Sequence, residues 1–239
     1  MLRKVTFAPG EYYHIYNRGT DKRKIFLTQK EQLRFLALLY ICNNTASIHI
    51  SNYKSLKLMD FFDLEIKEPL VTIGAYCLMP NHFHLLIKET RENGITEFMQ
   101  KLSTAYSMYF NIKHHRKGTL FEGPFKAEHA NEDRYLKYLI SYIHLNPVKL
   151  IDSKWKERGL RDYSKTKKYL DNYEFSSYFD YTGIKRPQNK ILNMKEFPKY
   201  FGTIKDFDKE IFEWLSYGKE FLRQGVSTSR RGLDVEQKV

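Results

Sequence analysis

Two histidines separated by one residue, His82 and His84, are the first candidates for chemistry in this chain of 239 residues. They open a predicted strand, His82–Lys88, which follows another predicted strand, Val71–Leu78, across a turn that contains proline. On a strand, residues i and i+2 point to the same side, so both imidazoles project together. Such a pair can share a divalent metal ion and leave coordination positions open for a substrate oxygen. Taken alone, this spacing more often reflects chance or solvated histidines.

A predicted helix, Asp133–Asn146, carries the second set of candidates. One of its stripes is apolar, and the adjoining stripe holds polar residues at helical spacing. The members of this polar stripe are Tyr135, Tyr138, Tyr142 and Asn146. Tyr142 and Asn146 are one helical turn apart and are therefore neighbours, so a tyrosine hydroxyl and an amide oxygen can reach one cleft. The same spacing also describes the margin of a core that ends at a helix-terminating asparagine.

The charge of the chain favours a nucleic-acid partner. There are 40 Lys and Arg against 28 Asp and Glu, a net charge of +12. Residues 1–150 hold 21 of the basic and 14 of the acidic residues, and residues 151–239 hold 19 and 14. Phosphate backbones are attracted to such surfaces, and 18 Tyr and 17 Phe supply rings on which unpaired bases can stack. Composition alone fits a solvated basic surface with an aromatic core equally well.

Several other classes of protein are disfavoured. No apolar run approaches the length of a membrane span, and the first residues lack the apolar stretch of a signal peptide. Cys42 and Cys77 lie inside apolar segments, which predicts reduced core residues and neither a disulfide nor a metal pair. We therefore expect a cytoplasmic protein with no membrane segment.

The elements that must position these candidates follow from local patterns. Tyr12–Tyr16 is rich in aromatic and β-branched residues and predicts a strand. Thr28 and Glu31 form a capping box before a helix, and apolar spacing predicts a second helix over residues 94–115. A short strand is expected within Leu120–Ala130.

Two parts of the chain are less regular. Residues 43–69 are interpreted as an insertion, with a weak strand around Ile48–Ile50. After residue 150 the pattern changes. We expect a catalytic domain over residues 1–150 and an accessory region over 151–239. The latter would include an amphipathic helix, Phe207–Phe221, with Trp214 on it, and a frayed polar tail from Gln224.

Several separate blocks, in the same order, resemble the IS200-like Y1 transposases, which are single-tyrosine HUH enzymes. The blocks are Ala75–Leu86, Gly118–Lys126 and Tyr142–Val148. Tyr16–Gly19 and Tyr173–Tyr178 also fit, and the nearest branch is the REP-associated tyrosine transposases. The matched blocks span about residues 11–182, so the joint signal is strong where each block alone would be weak.

This resemblance implies a fold and an activity. The fold would be of the α+β class, a ferredoxin-like α/β sandwich whose antiparallel sheet carries both histidines on a central strand, with a mainly helical C-terminal extension. The activity would be metal-dependent cleavage and strand transfer of single-stranded DNA at hairpin-associated sites, such as REP elements or insertion-sequence ends. The reaction of DNA transposition and recombination would pass through a 5′-phosphotyrosine and a free 3′-OH.

The resemblance also implies the residues and partners of that activity. Tyr142 would be the nucleophile, and His82, His84 and Asn146 would hold Mg²⁺ or Mn²⁺. Single-stranded DNA with a hairpin would be the partner of a monomer or homodimer. Basic loops and matched motifs that flank the site would contact DNA, although solvated turn charges explain the loops almost as well. These DNA-contacting positions are Asn17, Arg18, Lys22, Arg23, Lys24, Lys113, Arg116, Lys117 and Lys126.

Two departures from the family pattern and two rival functions remain open. Leu120–Phe125 reads LFEGPF where the family commonly has LWQGRF, so an arginine is missing and DNA contacts there are in question. Residues 43–69 are longer than the usual connection. One rival is a metal-dependent nuclease that uses water as its nucleophile. The other is an inactive DNA-binding regulator, against which the intact set His82, His84 and Tyr142 weighs. Whether Tyr142 would serve its own subunit's metal or a partner's is open.

Overall fold

One antiparallel sheet organises the computed structural model, which describes residues 5–213 of the chain. The strands are β1 (Tyr12–Arg18), β2 (Val71–Met79), β3 (His82–Glu89) and β4 (Lys126–His129). Helix α1 (Gln29–Ile41) lies between β1 and β2 in the chain, and α2 (Gly94–Lys113) lies between β3 and β4. With the strand order β2-β3-β1-β4, this connectivity is the ferredoxin-like arrangement. The predicted fold is confirmed, and β3 is an interior strand as expected.

Local sequence explains where the helices begin. The Thr28 hydroxyl accepts a hydrogen bond from the Glu31 N–H, and the Glu31 carboxylate accepts from the Thr28 N–H, which completes the predicted capping box of α1. At the start of α2, the Glu89 carboxylate accepts from the Ile95 N–H at 2.8 Å. Helix α3 (Asp133–Leu145) gives way to a 3₁₀ turn over Asn146–Leu150, where proline stands.

Side-chain alternation gives the sheet a hydrophobic core on each face. Phe83, Leu85 and Ile87 of β3 belong to the core formed with α1 and α2, whereas Leu86 belongs to the core formed with α3. His82 and His84 have the same parity as Leu86, so both histidines face the α3 side of the sheet. This assignment fixes where the candidate site lies.

The C-terminal region is mainly helical and completes the α3 core. Its helices are α4 (Trp155–Arg158), α5 (Tyr163–Leu170), α6 (Tyr178–Tyr181) and α7 (204–213). Trp155, Leu170, Tyr178 and Phe207 are buried in the same cluster as α3. The helical extension is therefore confirmed, and the domain boundary at residue 150 stays a prediction. Trp214, the remainder of the expected helix Phe207–Phe221 and the tail from Gln224 lie outside the described residues.

The edge of β2 is occupied by other segments of the chain. The Leu78 N–H donates to the Phe175 carbonyl oxygen and the Ser177 N–H donates to the Tyr76 carbonyl oxygen, each at 2.9 Å. At the other end of the strand, the Asn43 side-chain amide bonds both the N–H and the C=O of Val71 at 2.9 Å. These contacts satisfy an edge that would otherwise be open for pairing.

The weak strand expected around Ile48–Ile50 is wrong. A 3₁₀ turn, Ile50–Asn52, forms there instead. The reason is physical, because Asn43 and the segment around Phe175 already bond the β2 edge that such a strand would need. The insertion contributes instead by burying Phe61 and Phe62 in the core with α1.

The two cysteines are buried free thiols, as predicted for core residues. Cys42 lies in the core with α1 and α2, and Cys77 lies in the core with α3, so the sheet separates them. Across residues 5–213, no helix combines the length and the apolar character that a membrane span requires.

Candidate active site

Two rows of side chains cross the sheet on its α3 face. Pairing between β1, β3 and β2 places Tyr16 beside His84 and His84 beside Cys77. The same register places Arg18 beside His82. Both histidines are buried at the end of the sheet where β1 ends and β3 begins. The expectation that the two imidazoles project together is met.

His82 is oriented by its neighbour in the turn. Its Nδ1 lies 2.7 Å from the Oδ1 of Asn81, so the ring donates there and directs the lone pair of Nε2 elsewhere. Nε2 is buried and has no hydrogen-bond partner within residues 5–213. Burial lowers the pKa of His82 to about 3, and the nearby charges of Lys149 and Arg18 lower it further. His82 is therefore a neutral imidazole with an available nitrogen, which is the form that binds metal ions.

A third buried histidine, His14 on β1, holds the ring of His84. His14 Nε2 and His84 Nδ1 are 2.9 Å apart, and the two rings stack with centroids 5.0 Å apart. Burial lowers the pKa of His14 to about 3, so this contact joins His84 to a neutral ring. Because His84 uses Nδ1 for this contact, its Nε2 is the nitrogen left for a ligand.

Tyr142 lies across the edges of both of these rings. Its ring centroid is 5.5 Å from that of His84 and 5.7 Å from that of His14, with near-perpendicular planes in both cases. Tyr142 is 6% exposed, so it lies between helix α3 and the sheet and not in open solvent. Asn146 is buried one turn later, and its Nδ2 donates to the Tyr142 carbonyl oxygen at 2.8 Å. The predicted nucleophile and the predicted histidines thus meet within one chain.

These residues fit a divalent metal ion. The rings of His82 and His84 are 5.0 Å apart and perpendicular. Two imidazoles bound at about 2.1 Å to adjacent positions of one ion have ring centres roughly 5 Å apart. The Oδ1 of Asn146 is buried without a hydrogen-bond partner in the described part of the chain. No three His, Cys, Asp or Glu side chains within residues 5–213 are grouped to hold a metal. An ion would therefore depend on two imidazoles, an amide oxygen, and oxygens of substrate or water.

Part of the predicted DNA-contacting set surrounds this end of the sheet. Arg18 follows Asn17 at the end of β1 and forms an ion pair with Glu122. Lys22 lies close enough to lower the pKa of the Glu122 carboxyl, after the larger effect of the Arg18 hydrogen bond. Lys126 of β4 pairs with Tyr16 across the sheet and lies 5.9 Å above its ring.

The turn residues Arg23 and Lys24 are placed differently from each other. Arg23 donates to the Thr20 carbonyl oxygen at 2.9 Å and pairs with Asp21 at 3.2 Å, whereas Lys24 is exposed. Asn17 points to the other face, where its Nδ2 donates to the Gly123 carbonyl oxygen at 3.2 Å. Its contact holds the loop before β4 and does not line the histidine face.

The second basic cluster lies at the end of α2, on the face of the sheet opposite the histidines. Lys113 donates to the buried carboxylate of Glu31 at 2.5 Å. Arg116 donates to the Asn111 side chain at 3.1 Å, and Lys117 is exposed. Lys113 and Arg116 are thus engaged with the protein itself, whereas Lys117 points to solvent.

Sequence reasoning missed three residues of the site. His14 is beside His84 only because of strand register, and a single histidine on a strand gives no signal of that contact. Asn81 was visible as part of the turn before His82, and its side chain both bonds His82 and donates to the Lys22 carbonyl oxygen at 3.3 Å. Lys149, after α3, was visible as a basic residue near Asn146 but not as a neighbour of His82.

Comparisons with known proteins agree with this geometry. The family model described as IS200-like transposase matches residues 10–146. A comparison with curated protein sequences finds none that matches. A solved structure of a REP-associated tyrosine transposase bound to a REP hairpin is similar to this chain, with 12% sequence identity and a TM-score of 0.48. That similarity covers 79% of this chain and 90% of the other.

Proposed function

The chain belongs to the family of IS200-like transposases, and from that premise we propose that it cuts and rejoins single-stranded DNA through a covalent bond to Tyr142. The observation that carries the proposal is the contact of the Tyr142 ring with the His84 ring, 5.5 Å between centroids, next to His82. A nucleophile beside a pair of neutral imidazoles is suited to phosphoryl transfer.

The proposed step forms one bond and breaks one. The Tyr142 hydroxyl oxygen attacks the scissile phosphorus and loses its proton to solvent or to a neighbouring base. The bond from phosphorus to the 3′ oxygen breaks, and that oxygen takes up a proton to become a free 3′-OH. The DNA downstream of the cut stays joined to Tyr142 as a 5′-phosphotyrosine. Because a phenol leaves more readily than an alcohol, a later 3′-OH can reverse the reaction without ATP.

The proposed cofactor is Mg²⁺ or Mn²⁺, held by His82, His84 and Asn146. When bound, such an ion withdraws negative charge from the scissile phosphate and orients it. The protein's own contribution is to fix the ligands. Asn81 holds His82 through Nδ1, and His14 holds His84 through Nδ1, so both Nε2 atoms are directed to one place.

We propose that one chain supplies the complete site, since Tyr142 and His84 of the same chain are in contact. Mixing two inactive variants tests this. Tyr142→Phe lacks the proposed nucleophile and His84→Ala lacks a proposed ligand, and each should be inactive alone. The mixture should remain inactive if each tyrosine serves its own histidines. Restored cleavage in the mixture would assign the site to two subunits.

The proposed substrate is single-stranded DNA beside a hairpin, of the kind found at REP elements or insertion-sequence ends. This part of the proposal depends on membership of the family and on a basic end of the sheet beside His82, where Arg18 and Lys126 lie.

The decisive experiment follows both fragments of a candidate strand in the presence of Mn²⁺. A strand labelled at its 3′ end should give a protein–DNA adduct that survives a denaturing gel. The same strand labelled at its 5′ end should give a shorter free product with a 3′-OH. EDTA and Tyr142→Phe should each abolish both products. Metal-dependent cleavage without an adduct would support a water nucleophile, and binding without cleavage would support an inactive regulator.

A further inference from the structure

A carboxylate lies among the cations at the end of β1. Both oxygens of Glu122 accept from the guanidinium of Arg18, one from Nε and the other from Nη2 at 3.0 Å. The hydrogen bond from Arg18 lowers the pKa of the Glu122 carboxyl, and the charges of Lys126 and Lys22 lower it further. Three cations therefore face one anion, and that anion belongs to the protein itself.

These cations are next to the proposed metal ligands. Arg18 pairs with His82 across β1 and β3, and its charge reaches the His82 ring. The Arg18 side chain is only 15% exposed, and its Nη1 is buried with no hydrogen-bond partner among the described residues. The Glu122 side chain, in contrast, is 43% exposed. The cation is fixed in the sheet, and the carboxylate is the partner that can leave.

The backbone around Glu122 holds the carboxylate in this position. The Glu122 N–H donates to the Arg18 carbonyl oxygen at 2.9 Å, and Gly19 and Phe121 form an isolated β-bridge. The loop is thus tied to the end of β1, while the Glu122 side chain keeps its rotamer freedom. Displacing the carboxylate requires a side-chain rotation and no unfolding of the loop.

We propose that Arg18, Lys22 and Lys126 form a subsite for a backbone phosphate of the DNA strand, and that Glu122 fills it in the free protein until DNA displaces it. A guanidinium binds carboxylate and phosphate with the same two-pronged geometry, so one anion can replace the other. The subsite lies beside His82, and a phosphate bound there would place the strand next to the proposed catalytic residues. The ligand's identity as DNA rests on the proposed function, whereas the exchange of anions does not.

The expected effect of Glu122 is modest and has a definite sign. A half-exposed ion pair contributes little in water, so its loss should tighten binding of single-stranded DNA about two- to five-fold. Releasing Arg18 for a phosphate contact should also steepen the dependence of log affinity on log salt by roughly 0.7, the value for one added contact on a single strand.

The test measures binding of a labelled mixed-sequence single strand by fluorescence anisotropy, in EDTA, over a series of salt concentrations. Glu122→Gln keeps the shape of the side chain and removes its charge. The matched control is Glu97→Gln, which makes the same change in net charge in an ion pair with Lys101 on α2. Glu122→Gln should bind more tightly than both wild type and Glu97→Gln, with the steeper salt dependence.

A second background separates the subsite from a general charge effect. In Arg18→Gln the gain from Glu122→Gln should shrink, because the main cation that Glu122 covers is gone. Equal effects of Glu122→Gln and Glu97→Gln, or weaker binding by Glu122→Gln, would overturn the proposal. Because this assay contains no metal and scores no covalent product, it can succeed where the adduct experiment fails, and the reverse.

Discussion

Around His84, three side chains from separate parts of the chain restrict one another. His14 stacks on His84 and bonds its Nδ1, and Tyr142 lies across the edges of both rings. Buried rings in such contact have few alternative rotamers, so the direction of His84 Nε2 is fixed before any ligand arrives. Preorganisation of this kind reduces the reorganisation that a reaction would otherwise require.

The nucleophile can be tested by removing one oxygen atom at a time. Tyr142→Phe keeps the ring and its packing, so the variant should fold and bind DNA but form no covalent adduct. Tyr138→Phe and Tyr135→Phe are matched controls on the same helical stripe. The Tyr138 ring is 5.7 Å from Tyr142, and the Tyr135 ring follows 6.1 Å beyond it, progressively farther along the helix. Both controls should keep the adduct, as judged on a denaturing gel. An adduct from Tyr142→Phe would disprove the assignment.

The role of His14 can be tested through metal affinity and not only through cleavage. His14→Leu removes the acceptor for His84 Nδ1 and should weaken Mn²⁺ binding about 10- to 100-fold, as measured by electron paramagnetic resonance. His14→Gln offers a side-chain oxygen in its place and should recover most of the affinity. His144→Leu is the control, because His144 is also buried but bonds Ser177 at 2.7 Å. Equal losses in His14→Leu and His144→Leu would mean that His14 is merely structural.

At the scale of elements, two buried carboxylates fasten the starts of the long helices, with opposite electrostatic balance. Burial raises the pKa of Glu31, but Lys113, the Leu27 N–H and His114 outweigh it and leave the pKa below its ordinary value. Burial also raises the pKa of Glu89, and the Ile95 and Gly94 N–H groups only partly offset it, so that pKa stays above its ordinary value. The same residue type therefore responds to pH in two directions.

The two glutamates predict opposite pH dependence of stability. Glu31 stabilises the fold above the unfolded pKa of 4.5, and this contribution is lost as pH falls through its lower folded pKa. Glu31→Gln should therefore cost about 1–3 kcal/mol at neutral pH, with the difference from wild type shrinking below pH 4.5. Relative to Glu89→Gln, wild type should gain stability as pH falls, because folded Glu89 binds its proton more tightly. Unfolding by urea at several pH values measures both differences. Parallel curves for the two variants would contradict the prediction.

The basic loops differ in what their charges already contact. Neutralising Lys22, Arg23 and Lys24 together should flatten the salt dependence of single-strand binding by up to about 2, at roughly 0.7 for each lost phosphate contact. The matched triple change at Lys113, Arg116 and Lys117 should flatten it less, because Lys113 bonds Glu31 and Arg116 bonds Asn111. Anisotropy titrations over salt concentration measure both slopes. A larger effect of the second cluster would place the DNA on the α2 side.

At the scale of the whole molecule, the C-terminal region is tied to the sheet by a buried ion pair. Arg186 bonds the Asp180 carboxylate at 2.6 Å, the Tyr76 hydroxyl of β2 at 2.9 Å and the Ser176 carbonyl oxygen at 2.5 Å. Since α3 packs in the same core, this region supports the helix that carries Tyr142. We expect the two parts to unfold together.

The Arg186 contacts predict a large loss of stability. Arg186→Met would leave the Asp180 carboxylate buried and unpaired, which should lower the free energy of unfolding by about 3–5 kcal/mol. Lys190→Met, which breaks an exposed pair with Asp63, should cost no more than about 1 kcal/mol. Urea denaturation followed by circular dichroism and by fluorescence measures both. Non-coincident transitions in wild type would contradict the expected cooperative unfolding.

The sequence by itself determined the local elements and their amphipathic faces. The capping box at Thr28, the boundaries of α3 and the two strands around the Pro80 turn all follow from interactions between residues a few positions apart. The common side of His82 and His84, and the one-turn spacing of Tyr142 and Asn146, follow from strand and helix periodicity alone.

Only the tertiary structure decided which of these faces meet. His14 bonds His84 from 70 positions away, and Arg18 pairs with Glu122 from 104 positions away. Strand register makes both contacts, and register is set by which side chains each face of the sheet buries, a property of the whole core and of no single segment. The same dependence on the whole core explains why the strand expected near Ile48 does not form, since other parts of the chain already occupy the edge of β2.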